Sequence, residues 1–319
     1  MADTEDYSTL QDRARKKLER DMGPLLMTAL NDPRTVDIML NADGRLWQER
    51  LGEKMSCIGT LRVAQSEAII KTIAGYHGKE ITRDKPILEG EMPLDGSRFA
   101  GQLPPIVPFP TFAIRKKAIA IFTLDQYVEA GTMTPAQCAV LKSAVAAHRN
   151  ILVTGGTGSG KTTLVNAIIH HMVIIDPAER IFIIEDTGEI QCAAENCVQY
   201  HTSLEVPMTA LLRTTLRMRP DRILVGEVRD AEALDLLDAW NTGHEGGAAT
   251  LHANNAQAGL ARLKSLITRN PSAPRDIEQL ICELAHIVVH IARTPDGRRI
   301  QEILEVSGYK AGRYLTQTL

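Results

Sequence analysis

The chain has 319 residues, 44% apolar and 24% charged, with 36 Lys and Arg against 39 Asp and Glu and a formal net charge of −3. That length leaves room for two domains with ample cores. The charge balance argues against a dedicated nucleic-acid coat or a polybasic membrane protein, while a local basic groove stays open.

No apolar run approaches the ~18 residues of a transmembrane helix. The first residues, Met1 to Tyr7, lack the basic start and apolar core of a signal peptide, so a cytosolic protein is expected. Cys57, Cys138, Cys192, Cys197 and Cys282 form no C-x-x-C pair. They read as isolated small apolar residues rather than a zinc ribbon or a disulfide framework.

Ser8-Thr9-Leu10-Gln11 reads as a capping box that opens a helix. This helix carries Arg13, Arg15, Lys16, Lys17 and Arg20, with Leu10, Ala14 and Leu18 on one side. A solvated helix packed through two leucines is the plain reading, and a membrane-surface contact the sharper one. Short strands around turns are expected from Asp37 to Thr60, with a turn at Asp43-Gly44. A helix is expected from Val63 to Tyr76, then a charged loop and the extended run Arg98 to Leu103. Pro104, Pro105, Pro108 and Pro110 forbid a central strand there, and Thr111 to Arg115 is again extended. Residues 1–121 therefore read as a small α+β domain.

Residues 122–319 change character. Thr134-Pro135 supplies an N-cap and a first-turn proline for a helix reaching about His148. Strands and helices then alternate. Strands are expected at Ile151–Thr154, Ile181–Ile184, Ile223–Val225 and Ala248–Leu251, and helices at Lys161–Met172, Thr209–Arg217, Ala231–Trp240 and Ala256–Ile267. Such alternation predicts an α/β domain with a mostly parallel sheet covered on both faces. Ile287–Ala292 and Ile300–Val306 read as a terminal hairpin around Asp296-Gly297. No internal repeat or low-complexity segment interrupts the pattern.

The strand Ile151-Leu152-Val153 runs into Gly155-Gly156-Thr157-Gly158-Ser159-Gly160-Lys161-Thr162, a complete G-x-x-x-x-G-K-[ST] motif, and a helix follows. This is the context a P-loop requires. Its glycines let backbone N–H groups turn toward phosphate oxygens, and the helix adds its positive amino end. Lys161 is expected at the β- and γ-phosphates and the Thr162 hydroxyl on Mg²⁺. The nucleotide-contacting set is Gly155 to Thr162 together with Thr163, and His244 is placed with it.

Ligands of open α/β sheets sit at the carboxyl ends of strands. There Ile181–Ile184 leads into Glu185-Asp186-Thr187-Gly188-Glu189, Ile223–Gly226 into Glu227, and Ala248–Leu251 into His252. An ATPase needs carboxylates to hold Mg²⁺ and to orient the attacking water, and Glu185 and Glu227 are the candidates. His252 is a candidate γ-phosphate sensor, with His244 across a glycine-rich turn.

These motifs together resemble the secretion ATPases of type II and type IV secretion, pilus motors and conjugation. In that family a Walker A loop, an acidic "Asp box", a Walker B motif with Gly-Glu in place of its usual Asp, and a "His box" follow in order. Here they resemble Gly155–Thr162, Ile184–Thr187, Leu216–Arg229 and Gly243–Asn254. The lack of a four-cysteine zinc module sets the chain apart from the type II loader and the pilus-extension motor. The run Arg213 to Arg222 and the compact N-terminal domain resemble the type IV secretion and conjugation branch. The resemblance implies a PAS-like domain before a RecA-like ATPase domain. It also implies a homo-hexamer using Mg²⁺ and ATP, working at the inner face of the inner membrane with membrane-bound secretion components. It further implies phosphate contacts from Arg98, Arg115 and Arg219, where a guanidinium stabilises spreading charge. Rival readings are a pilus-retraction motor, a DNA-translocating ATPase and an ATP-gated scaffold. The net charge and the 4% aromatic content do not favour direct DNA binding, and no sequence-specific contact with DNA is expected.

Overall fold

The computed structural model describes residues 2–51, 53–116, 121–203 and 205–319, with side chains described from Leu10 onward. The chain divides into two compact units, Met1–Ile119 and Ala120–Leu319.

The first unit opens with α1 (Ala2–Asn31), followed by β1 (Thr35–Leu40), β2 (Arg45–Arg50), β3 (Ser56–Thr60) and α2 (Val63–Tyr76). Three more strands complete it: β4 (Ile87–Glu91), β5 (Arg98–Gln102) and β6 (Thr111–Arg115). Helix α1 begins upstream of Ser8, so the expected capping box is not an N-terminus; Ser8 lies inside the helix. Pro24 follows a kink at Gly23, where φ is 66°. Gly23 leaves the helical conformation (ψ 175°), so α1 is two helical segments joined at a kink. Pro24 stands in the first turn of the second, where no helical hydrogen bond needs its missing N–H. Leu18 and Met22 before the kink and Leu26 and Leu30 after it are all buried, so both segments pack on the same core.

The strands form one antiparallel sheet in the order β3-β2-β1-β6-β5-β4. One face buries Ile38, Leu40, Leu46, Phe99, Phe112 and Ile114 in a core shared with α1 and with Ile69, Ile70 and Ile73 of α2. Strand β4 lies where only a charged loop was expected. Its polar alternation carries little apolar signal, and its pairing with β5 decides the matter. The basic residues of α1 are exposed, but Arg15 donates to the Tyr76 hydroxyl at 3.2 Å and Lys17 bonds Asp21 and Thr72.

The second unit contains α3 (Leu124–Glu129), α4 (Pro135–Ala146), β7 (Ile151–Thr154), α5 (Lys161–Ile175), β8 (Ile181–Glu185) and β9 (Cys197–His201). Next come α6 (Met208–Thr215), β10 (Arg222–Val225), α7 (Glu232–Trp240), β11 (Ala248–Leu251), α8 (Ala256–Ile267) and α9 (Ile277–Leu284). The last elements are β12 (Ile287–Thr294), β13 (Gly297–Lys310) and β14 (Arg313–Thr318). Thr134 caps α4 through the backbone N–H of Gln137, with Pro135 in the first turn. The sheet runs β14-β13-β12-β7-β11-β10-β8-β9; β12 through β9 pair in parallel, and β13 and β14 are antiparallel additions.

Alternate strand residues feed two cores. Ile151, Val153 and Leu224 pack with α3, α4 and α5 on one face; Leu152, Ile223, Val225 and Leu251 pack with α6 to α9 on the other. This two-sided burial explains the unbroken apolar strands. It is an α/β fold that aligns the carboxyl ends of β7, β11, β10 and β8 along one edge.

Candidate active site

Gly155 to Gly160 turn from β7 into α5. Gly160 has φ 99° and precedes the first helical residue, Lys161, a conformation that favours glycine. Lys161 is 8% exposed. Its Nζ donates to the carbonyls of Gly155 (3.1 Å) and Gly156 (3.0 Å). It also lies 3.4 Å from both ring nitrogens of His252, so the ammonium faces that ring. Thr162 and Thr163 occupy the next positions of the first turn, and the Thr162 hydroxyl donates to Glu189 Oε2 at 3.4 Å.

From His252 a polar chain crosses the strand ends. His252 Nε2 is 3.0 Å from Glu227 Oε1. Glu227 Oε2 accepts from Arg229 at 2.8 Å, and Arg229 donates to Asp186 at 2.9 Å. Asp186 accepts from Thr202, just beyond β9. Burial pushes the Glu227 carboxyl up, but the hydrogen bond and charge of Arg229, with His252 and Lys161, hold it below its ordinary value. Burial and the Lys161 charge push the His252 imidazole down, with Glu227 opposing. A neutral His252 protonated on Nε2 therefore donates to an ionised Glu227.

Glu185 behaves differently. It is 3% exposed and accepts the backbone N–H groups of Glu189 (3.2 Å) and Ile190 (3.0 Å). It organises its own loop, and the carboxylate presented to Thr162 is that of Glu189. Glu189, Asp186 and Arg229 were not singled out from the sequence, although Asp186 stands inside the acidic motif, Arg229 at the end of the Walker B motif and Glu189 two residues beyond the acidic one. The available signal was the (i, i+4) pair Glu185 and Glu189: the first anchors the turn and the second emerges from it.

Arg219 and His244 do not join this group within the unit. Arg219, at φ 58°, leads into β10 near its amino end, where Met218 O accepts from Arg180. His244 leads into β11 beside Gly246, whose carbonyl accepts from the buried Arg222 at the start of β10. Loops that enter a parallel strand lie at the opposite edge from loops that leave it. A four-residue strand separates the two edges by on the order of 13 Å.

In the first unit Arg98 and Arg115 are cross-strand partners, flanked in register by Glu91 on β4 and Asp37 on β1. Arg115 Nε donates to Asp37 at 3.1 Å.

A family model described as "Type II/IV secretion system protein" matches residues 86–305, and the chain belongs to this family. It is 48% identical over 299 residues to the probable conjugal transfer protein TrbB of Sinorhizobium fredii, covering 94% of this chain and 91% of that protein. Among solved structures it resembles the VirB11 ATPase from the Brucella suis type IV secretion system, in complex with sulphate, at 26% identity and a TM-score of 0.50 over 91% of this chain and 97% of that one. The fold is also that of the pilus retraction motor PilT with bound ADP, with a TM-score of 0.62 and 21% identity over 90% and 83% of the chains.

Proposed function

We propose that this chain hydrolyses Mg-ATP as a homo-hexameric motor that energises conjugative type IV secretion, in pilus assembly or substrate transfer. The observation that carries the reading is the junction of P-loop and strand ends: Lys161 meets His252, and His252 meets the ionised Glu227. Membership of the secretion family and the conjugal-transfer relative support it. On this reading the second unit is RecA-like and the first PAS-like.

The loop N–H groups and the start of α5 bind the phosphates, and Lys161 neutralises charge at the β- and γ-groups. Glu227 orients the attacking water, while His252 fixes the Glu227 carboxylate. Among the described residues no group of three or more His, Cys, Asp or Glu side chains could hold a metal alone. That suits Mg²⁺, which favours oxygen donors and is usually held by one or two protein groups together with phosphates and waters. Thr162 Oγ1 with the neighbouring Glu189 carboxylate fits, and the ion would neutralise charge on the phosphoryl oxygens. Glu185 holds the loop that presents Glu189. Arg98 and Arg115 are further phosphate-binding candidates. Arg219 and His244, at the far edge of the sheet, enter only as groups offered to an adjacent subunit.

No helix of the described residues is long and apolar enough to cross a membrane. The exposed basic side chains of α1 fit a peripheral contact with anionic lipid near membrane-bound secretion partners, one that weakens with salt. Steady-state phosphate release measured beside native mass spectrometry tests the central reading. The wild-type chain should turn over ATP as a hexamer, and folded Lys161→Ala should be inactive. Near wild-type turnover in Lys161→Ala would sink the assignment.

A further inference from the structure

The sheet order β12-β7-β11-β10 gives the P-loop two flanks. His252 and Glu227 stand on the β11 and β10 flank, where the terminal phosphate belongs because the water-orienting carboxylate is there. A triphosphate laid along the loop therefore carries its nucleoside toward the β12 flank. That flank is formed by the β12–β13 hairpin.

Arg298, the second residue of β13, reaches from this hairpin over the loop. Its Nε donates to the Gly158 carbonyl at 3.3 Å. Its Cδ would lie only 3.0 Å from a Cβ on Gly160, so the arginine stem crosses the turn where the loop becomes helix. The hairpin holds this position through neighbouring bonds: Arg299 donates to Gly131 O, and the Ile300 N–H to Thr132 O at 2.8 Å. An exposed guanidinium is a flat cation that stacks on aromatic faces.

We propose that Arg298 is a nucleoside-contacting residue: its stem braces the Gly158–Gly160 turn, and its guanidinium plane packs on the base of the bound nucleotide. The inference rests on the ATP reading above and adds a residue that acts on affinity rather than on the chemical step. It lies on the flank away from His252 and Glu227, so its loss should raise KM and leave kcat nearly unchanged.

The test uses the full chain and two probes, a non-hydrolysable Mg-ATP analogue and Mg-tripolyphosphate, which has phosphates but no base. Calorimetric titration is run on the wild type, Arg298→Ala and Arg298→Gln, with KM and kcat measured for ATP. Glutamine keeps a donor for Gly158 O and lacks the cationic plane, so it separates bracing from stacking and guards against a misfolded alanine variant. Both variants should weaken the ATP analogue roughly tenfold, the size of one cation–π contact. In Arg298→Gln, which keeps the brace, tripolyphosphate affinity should stay unchanged and kcat should stay within about twofold. Equal losses for both probes in Arg298→Gln, wild-type ATP affinity in that variant, or no loss at all would overturn the proposal. A wild type that binds neither probe would overturn the ATP reading itself, and that result is visible before any variant is compared.

Discussion

Arg98 and Arg115 stand directly opposite each other on β5 and β6, and the row continues to Glu91 on one side and Asp37 on the other. Like charges opposite one another in a sheet are destabilising, and the flanking carboxylates offset that cost. Shedding one arginine should therefore leave stability within about 0.5 kcal/mol. Arg98→Ala and Arg115→Ala are expected to fold normally and to lose ATP turnover. An arginine at a γ-phosphate is worth ~10³–10⁵ in other P-loop enzymes, and solvent access would reduce that here. Circular dichroism beside phosphate release checks both halves; unchanged turnover removes the pair from the catalytic account.

Gly226 makes room for Glu185. A Cβ on Gly226 would lie 2.8 Å from Glu185 Cγ and 3.0 Å from its Oε1. Gly226→Ala must displace the carboxylate that accepts the Glu189 and Ile190 N–H groups. The expected cost is roughly 1–3 kcal/mol, with reduced turnover from a misplaced Glu189. A denaturant midpoint equal to that of the wild type would show that the loop yields freely.

The three carboxylates should separate by phenotype. Glu185→Gln loses a buried charged acceptor and should lower Tm. Glu189→Gln should keep Tm and raise the Mg²⁺ concentration needed for activity. Glu227→Gln should bind Mg-ATP and turn it over roughly 10²–10³-fold more slowly. Melting curves, magnesium titrations and phosphate release on all three supply the comparison. Normal turnover in Glu227→Gln would return the water-orienting role to the acidic loop after β8.

Acid should weaken the fold through its buried histidines. His171, His252, His286 and His290 are all held below the ordinary imidazole value of 6.5, chiefly by burial. Their folded affinity for protons is below their unfolded affinity. As pH falls through 6.5 the unfolded chain takes up more protons, and stability drops with it. Glu227 acts lower down: its folded value lies below 4.5, so its contribution is present above 4.5 and lost as pH falls through the depressed value. A Tm scan from about pH 8 to pH 5 should slope downward on acidification. His290→Gln, at a buried site beside Thr154, should flatten part of that slope. A flat wild-type profile would contradict burial as the cause.

Local requirements were legible in the sequence. The P-loop shows because its backbone needs particular residues at particular positions, as Gly160 does before Lys161. The central strands show because burial on both faces demands continuous apolar runs. Short elements were harder: β9, β14, α3 and α9 are not among the expected elements, and their places depend on partners far along the chain. The cysteines read as isolated, yet Cys192 and Cys197 influence each other electrostatically. Cys197 leads in drawing Cys192 down to about 7, against burial.

What the sequence alone determined is the alternation of strand and helix, the P-loop and the acidic strand ends. These depend on residue type at short spacing, and a linear chain displays them directly. Tertiary structure alone decided which side chains share a site. It turned Glu185 inward and Glu189 toward Thr162, and it set Arg219 and His244 at the far edge of the sheet. It also brought Arg298 across the Gly158–Gly160 turn. The reason is geometric. Whether a loop enters or leaves a parallel strand decides its edge, and the order of the strands decides its neighbours. Neither is set by the distance between two residues along the chain.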